Sequence, residues 1–163
     1  MLHHRWTLLF VLPIAACATL GDTFDVTPFL REQITGDTRR ACLAREYQMQ
    51  TRYVVRDDRN WAEASRFSAK GWAALRGEDV QHWQAAQFGL AQGRVGSEQL
   101  PLDAALSDPN RDECSCAKAE AAYDGWLAAA ARGAGSQAQV EKNFSEALIA
   151  CRRRKGEVGV EAE

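Results

Sequence analysis

From residue 38 onward the apolar positions recur at intervals of three and four and almost never alternate, so the chain predicts helices and no strands. A short first helix is expected near residue 28, with Thr27 as its cap and Pro28 as its first position, where a missing N–H costs nothing. A longer helix from about Thr38 carries Leu43, Tyr47 and Val54 and stops at "RDDRN", whose acids and Asn60 form a turn. "WAEASRFSAKGWAALRG" is the clearest helix. Trp61, Ala64, Ser68, Trp72 and Leu75 follow one face, Phe67, Gly71 and Ala74 widen it, and Gly77 closes it. A shorter amphipathic piece, "VQHWQAAQFGLAQG", comes next.

Residues 93–110 read as a loop with one helical turn around Leu102 to Leu106. Asp108 and Pro109 are the expected cap and first position of the following helix. Along it Cys116, Ala119, Tyr123, Trp126 and Ala130 make an apolar stripe, ended by "RGAGS". Ser136 starts the last helix, where Val140, Phe144, Ala147, Leu148 and Cys151 repeat the stripe. The short Gly/Ser link makes these two helices antiparallel neighbours. Folding them together sets Trp126 opposite Phe144 and Tyr123 opposite Ala147. Cys116 and Cys151 then come within roughly 3 Å of being level along the axis. That register favours a Cys116–Cys151 disulfide and leaves Cys42 to reach Cys114. A Cys114–Cys116 bridge would close a strained short loop, and the remaining alternative is that some of these are buried free thiols.

The fold class is therefore all-α: a small bundle of two or more antiparallel helical hairpins. The hairpins are weakly tetratricopeptide-like, with small residues Ala64, Gly71 and Ala74 where helices approach. Two such units do not make a solenoid, which stacks three or more.

The N-terminus has a different pattern. "MLHHRWTLLFVLPIAACA" opens with Arg5, runs apolar to Ile14 and ends in small residues around Cys17, which is the layout of a secretory signal peptide. Its apolar run is too short for a spanning helix of about 20 residues. "IAAC" further matches a bacterial lipobox, whose cysteine takes a lipid and becomes the first mature residue. The competing cut, at "ACA", would release a soluble chain beginning at Thr19. Ala18 after the cysteine, in place of Asp, points to the outer membrane of a Gram-negative cell. The expected organisation is a signal peptide over 1–16, a lipidated tether with a short helix over 17–37, a helical domain over 38–156 and a disordered acidic tail over 157–163.

Removing residues 1–16 from 163 leaves 147, enough for one domain with its own core, and a balance of 19 basic to 22 acidic residues. Such a surface has no global attraction for nucleic acid. The even set Cys42, Cys114, Cys116 and Cys151 suits two disulfides in an oxidising compartment. It lacks the paired knuckles of a structural zinc site. Asp108, Asn110 and Asp112 open like a calcium loop, but Glu113 and Ala119 stand where that loop needs Gly and a bidentate acid. No metal or cofactor is expected beyond the covalent lipid on Cys17. His82 is the one mature histidine; with no evident nucleophile or acid partner it reads as a partly exposed helix residue, and the chain as non-enzymatic. "CRRRK" places Arg152, Arg153, Arg154 and Lys155 together, a candidate site for anionic lipid phosphates. The plainer reading is a cationic helix end that complements its dipole. Trp83 with Phe88 is the best candidate for an exposed partner surface, while Trp61, Trp72 and Trp126 fall on core stripes.

Four stretches carry a resemblance: "LAREY" (Leu43 to Tyr47), "NWAEASRFSAKGWAALRGE" (Asn60 to Glu78), "CAKAEAAYDGWL" (Cys116 to Leu127) and "ALIACRR" (Ala147 to Arg153). They resemble the N-terminal helical region of Gram-negative OmpA-like (outer-membrane-protein-A-like) lipoproteins. The resemblance implies envelope location, lipid anchoring and a helical fold. Two departures limit it. Gly125 stands where that family has a cysteine, for which Cys116 or Cys114 is the substitute. The residues after the last hairpin are also too few for the family's peptidoglycan-binding domain, so cell-wall binding is not carried over. The reading that results is a periplasm-facing outer-membrane lipoprotein with a structural or protein-interaction role, its partner face being the Trp61 to Leu75 hairpin and the Trp83 segment. The rival reading is a helical ligand-binding protein with a pocket between the two hairpins.

Overall fold

The computed structural model describes residues 18–133 and 137–153. Among them the chain is helical with no strand: α1 (Ala18–Arg31), α2 (Arg39–Tyr53), α3 (Trp61–Arg76), α4 (Arg94–Ser97), α5 (Gln99–Leu106), α6 (Glu113–Arg132) and α7 (Gln137–Arg152). A π-helical turn over Val54–Asp58 leads out of α2, and a 3-10 turn over Ala85–Phe88 lies between α3 and α4. The all-α bundle expected from the periodicity is what forms.

Short polar side chains start the helices. Thr38 accepts from the Ala41 amide at 3.3 Å for α2, Asn60 from Glu63 at 3.1 Å for α3, and Asp112 from Ser115 at 2.7 Å for α6. Gly77 ends α3 at φ 80°, a left-handed conformation that suits glycine.

The helix α6 is the centre of the bundle. It packs on α2 along one side and on α7 along the other; α2 packs on α3, and α3 on α1. Ala117, Ala121 and Ala128 face a first core cluster with Val26, Phe29, Leu43, Tyr47 and Phe67. Cys116, Ala119, Tyr123, Trp126 and Leu127 face a second, with Val95, Leu102, Phe144 and Leu148. Alanines on both sides let the neighbouring helices approach closely. The hairpin register is as expected: Trp126 and Phe144 ring centroids are 5.5 Å apart.

The disulfides follow from that register. Cys42 joins Cys114 and Cys116 joins Cys151, with Cα atoms 5.2 and 4.4 Å apart. They close separations of 72 and 35 residues, and loop-closure arguments give each about 4 kcal/mol of stabilisation through the unfolded chain.

Several local expectations are corrected. Thr27 and Pro28 lie inside α1, not at its start. Val26 and Phe29, fully buried in the first core cluster, hold the helix through a proline that alone would cost about 3 kcal/mol. The cap of α6 is Asp112 and not Asp108, because the Asp108 carboxylate turns back to accept from the Asn110 amide at 2.8 Å. Residues 93–110 hold two helices, α4 and α5, since Val95, Leu102 and Ala105 all bury against the second core cluster. The amphipathic piece after α3 has no regular structure over 78–84, and within it Ala85–Phe88 is helical. Trp61 is 41% exposed: the buried face of α3 centres on Ala64, Phe67, Ser68, Gly71 and Ala74, leaving Trp72 and Leu75 half-buried. Ser136 lies outside the described residues.

Gly71 of α3 lies against Phe29 of α1: a Cβ there would overlap the Phe29 ring, which is fully buried. Gly71→Ala is expected to lower stability by about 1–3 kcal/mol through overpacking, although alanine is the better helix former. Urea denaturation followed by circular dichroism reads this as a fall in midpoint; an unchanged or raised midpoint would mean that α1 is not held as described.

Candidate functional site

Two acids four residues apart, Glu120 and Asp124, lie on one face of α6 and are both fully buried. Their surroundings differ. Asp124 is saturated: its Oδ2 accepts from the Tyr47 hydroxyl at 2.7 Å and from the Lys70 ammonium, and its Oδ1 accepts from the Trp83 amide at 2.6 Å. Glu120 receives one bond, from Arg39 to Oε2 at 2.5 Å, while its Oε1 is buried with no partner.

The Trp83 bond pins the segment that follows α3. Residues 78–84 are neither helix nor strand, with Val80 and His82 buried and Gln81 and Gln84 exposed. His82 is therefore not the partly exposed helix residue expected, and it has an acid partner. It is 7% exposed, with Nε2 2.7 Å from Asp103 Oδ1 on α5 and Nδ1 donating to the Trp83 carbonyl at 2.9 Å.

These groups wall a cavity of about 550 Å³. Arg39 enters from α2, Asp79, Val80, Gln81 and His82 from the segment after α3, Asp103 and Leu106 from α5, Ser107 and Arg111 from the turn after it, and Glu120 from α6. Arg111 donates through one terminal nitrogen to the Asp108 carbonyl at 2.9 Å, and its Nε is buried without a partner. The Ser107 hydroxyl donates to the Asp103 carbonyl at 2.8 Å, which ties it to the end of α5 and does not activate it. The walls thus combine two guanidiniums, three carboxyls and a histidine, and two of these residues, Glu120 and Arg111, each keep one buried polar atom without a partner. Among the described residues no group of His, Cys, Asp and Glu is arranged to hold a metal ion.

Burial governs the protonation of the acids. It lifts the Glu120 carboxyl to about 7 against the pull of Arg39, with the Asp124 charge adding to the rise and Lys70 and His82 opposing it. Burial also raises Asp124, opposed by the Lys70 ammonium and then by the Trp83 and Tyr47 hydrogen bonds. The Tyr47 hydroxyl is pushed well above its usual range, first by burial and then by the Asp124 charge, so it stays a donor.

The other residues singled out from the sequence are dispersed. Trp83 is half-buried and packs against both core clusters, meeting Phe67 at 5.0 Å and Phe88 at 5.5 Å, with the Arg66 guanidinium 4.4 Å from its ring centre. It packs against both clusters and is less exposed than the partner surface expected of it. Phe88 is likewise half-buried against the second cluster. Arg152 and Arg153 are exposed at the end of α7; Arg154, Lys155 and Cys17 lie outside the described residues. Among the described residues, the large apolar side chains left open to solvent are Met49, Tyr53, Trp61, Leu100 and Ile149. Glu120, Asp124, Lys70, Arg39 and Arg111 were not picked out by the sequence reading. The available signal was "AKAEAAYDGWLAAAA", in which two acids sit in a segment with alanine on every face. No family model, no curated protein and no solved structure matches this chain.

Truncating Asp124 to alanine would leave the Lys70 ammonium and the Trp83 amide without their acceptor. The expected loss is about 3–5 kcal/mol, seen as a large drop in urea midpoint. For Glu120 the effect depends on pH. Its folded value, about 7, lies above its usual 4.5, so between these limits the folded chain holds a proton that the unfolded chain releases. The contribution of Glu120 is full below about pH 4.5 and is lost as the pH rises through 7. Stability of the native chain minus that of Glu120→Gln should fall by up to about 3 kcal/mol between pH 4.5 and 8 in paired urea titrations; a flat difference would place Glu120 in contact with solvent.

Proposed function

We propose that this chain is an envelope lipoprotein, held to the outer membrane by a covalent lipid on Cys17, with its helical domain in the periplasm in a structural or protein-interacting role. The observation that carries this reading is the pair of disulfides, Cys42–Cys114 and Cys116–Cys151, which tie α6 to the helices on both sides. Two bridges over long separations belong to an oxidising compartment, and the "IAAC" sequence before the domain supplies both export and an anchor. Among the described residues no helix is long and apolar enough to cross a membrane, so membrane attachment in this reading rests on the lipid. A single acyl chain holds weakly and two or more hold stably, which is what a diacylated or triacylated cysteine provides. Neither nucleic acid nor cell-wall binding forms part of the proposal.

A second reading, a helical ligand-binding protein of the periplasm, is favoured by one specific feature: the charged cavity lined by Arg39, His82, Asp103, Arg111 and Glu120. The two readings are compatible, because an anchored domain can also bind a ligand.

The intact mass of the membrane-extracted protein, beside that of Cys17→Ser, tests the first reading. The expected result is an acylated Cys17 at the mature N-terminus, with the variant lost from the membrane fraction. A mature chain beginning at Thr19 without lipid would remove the anchor and leave the ligand-binding reading as the stronger.

A further inference from the structure

We propose that Cys42–Cys114 is a thiol-exchange site, opened when an external thiol attacks Cys114 Sγ, while Cys116–Cys151 is a permanent staple. This goes beyond the envelope reading and depends on neither the lipid anchor nor the charged cavity. The two bridges share one helix start, yet their surroundings differ. Cys116 and Cys151 are 0% and 1% exposed and sit inside the second core cluster. Cys116 Sγ lies against the buried Cys151 carbonyl, at 3.5 Å. A thiol reaches that pair only after α6 and α7 separate. At the other bridge Cys42 is buried, but Cys114 is partly exposed. Cys114 Sγ lies 3.5 Å from the Asp37 carbonyl, and Asp37, Thr38 and Glu113 around it are all exposed. One bridge is thus shut at both sulfurs, and the other is accessible at one of them.

The buried end of that bridge supplies the leaving group. Arg45 follows Cys42 by three residues on α2 and shares its face. One terminal nitrogen of its guanidinium donates to the Gly36 carbonyl at 2.6 Å, and the other stands 3.2 Å from Cys42 Sγ. A cation held against that sulfur favours the thiolate that exchange produces there. Both cysteines also lie within the first four residues of their helices, where the backbone N–H groups favour negative charge. Access and leaving group therefore select one direction, attack at Cys114 and departure from Cys42. The incoming thiolate bonds to Cys114 Sγ, and the electron pair of the old S–S bond goes to Cys42 as a thiolate beside Arg45. The second thiol of a dithiol donor then attacks the donor sulfur of this mixed disulfide and releases Cys114. The donor is oxidised to a disulfide, the bridge takes up two electrons, and the two donor protons end on Cys42 and Cys114. The Asp37 carbonyl stands where it can accept from the new Cys114 thiol. Opening removes the covalent tie between the starts of α2 and α6, where Arg39 meets Glu120, and leaves α6 stapled to α7.

The test is timed reaction of the oxidised full chain with reduced glutathione near neutral pH, quenched with acid, alkylated with N-ethylmaleimide in denaturant and mapped by peptide mass. The expected first product carries glutathione on Cys114 and maleimide on Cys42, with Cys116–Cys151 intact. Its rate should rise in proportion to glutathione and exceed that of the second bridge by about tenfold or more. Dithiothreitol, a dithiol, should carry the same bridge through to two free thiols. Arg45→Gln should slow the opening about tenfold, and Arg45→Lys, which keeps a cation, should restore part of the rate. Global unfolding exposes both bridges at once. A rate that levels off with glutathione, or simultaneous opening of both bridges, would therefore overturn the exchange site. Glutathione on Cys42 would overturn the direction of attack, and Arg45→Gln reacting at the native rate would overturn the role of Arg45.

Discussion

The carboxylate of Asp124 is the contact on which the bundle turns. A charge inside a dry interior is tolerated only where donors converge on it, and here they come from three directions: Tyr47 on α2, Lys70 on α3 and the Trp83 amide on the segment after α3. Apolar burial alone would allow α2 and α3 to slide along an alanine-rich α6, because alanine offers little shape to lock a register. Directed bonds to one buried atom pair do not permit such sliding. Gly77 ends α3, and the same contact then fixes the non-helical segment that follows it through the Trp83 amide. That segment, with its buried His82, forms part of the cavity wall.

The two disulfides work on the same helix by a different route. Cys114 and Cys116 are two residues apart at the start of α6, and a helix turns about 100° per residue, so their side chains leave in nearly opposite directions. One therefore meets Cys42 on α2 and the other Cys151 on α7. A short C-x-C at a helix start is thus a way to fasten a central helix to two neighbours at one level. The pairing could be read from the sequence because both inputs are local: the stripe of α6 and the stripe of α7 share a short link. Folding them about it leaves Cys151 a single close partner.

The helices were legible for the same reason, since each records its buried face in its own three- and four-residue spacing. What the spacing could not record was which face met which neighbour. The stripe of α6 through Tyr123 and Trp126 is real, but the opposite face is also buried, and Glu120 and Asp124 lie on it. Their partners stand 81, 77 and 54 residues away in sequence, so no window along the chain brings Arg39, Tyr47 or Lys70 into view. Trp61 shows the converse error. It has the right spacing for the core of α3, yet it is the first residue after the Asn60 cap, at the helix end, and stays largely in solvent. The cap of α6 failed for a local reason: Asp108 and Asp112 are both good caps, and the choice was made by Asp108 bonding within its own turn.

The contrast between the two buried acids carries the functional argument. Both lose the same hydration on folding, being equally buried one turn apart on one helix. Asp124 receives three donors in return and joins three elements. Glu120 receives one, from an arginine that is itself part-exposed and would be hydrated without it. A glutamine or a hydrocarbon side chain would fill the same volume of α6 without the charge. Packing therefore gives a reason for Asp124 and none for Glu120. What distinguishes the position of Glu120 is the open space beside it, shared with an arginine that has its own unmatched N–H. An acid that weakens the fold as the pH rises, with one of its two oxygens left unbonded in the interior, is the part of α6 that packing does not account for.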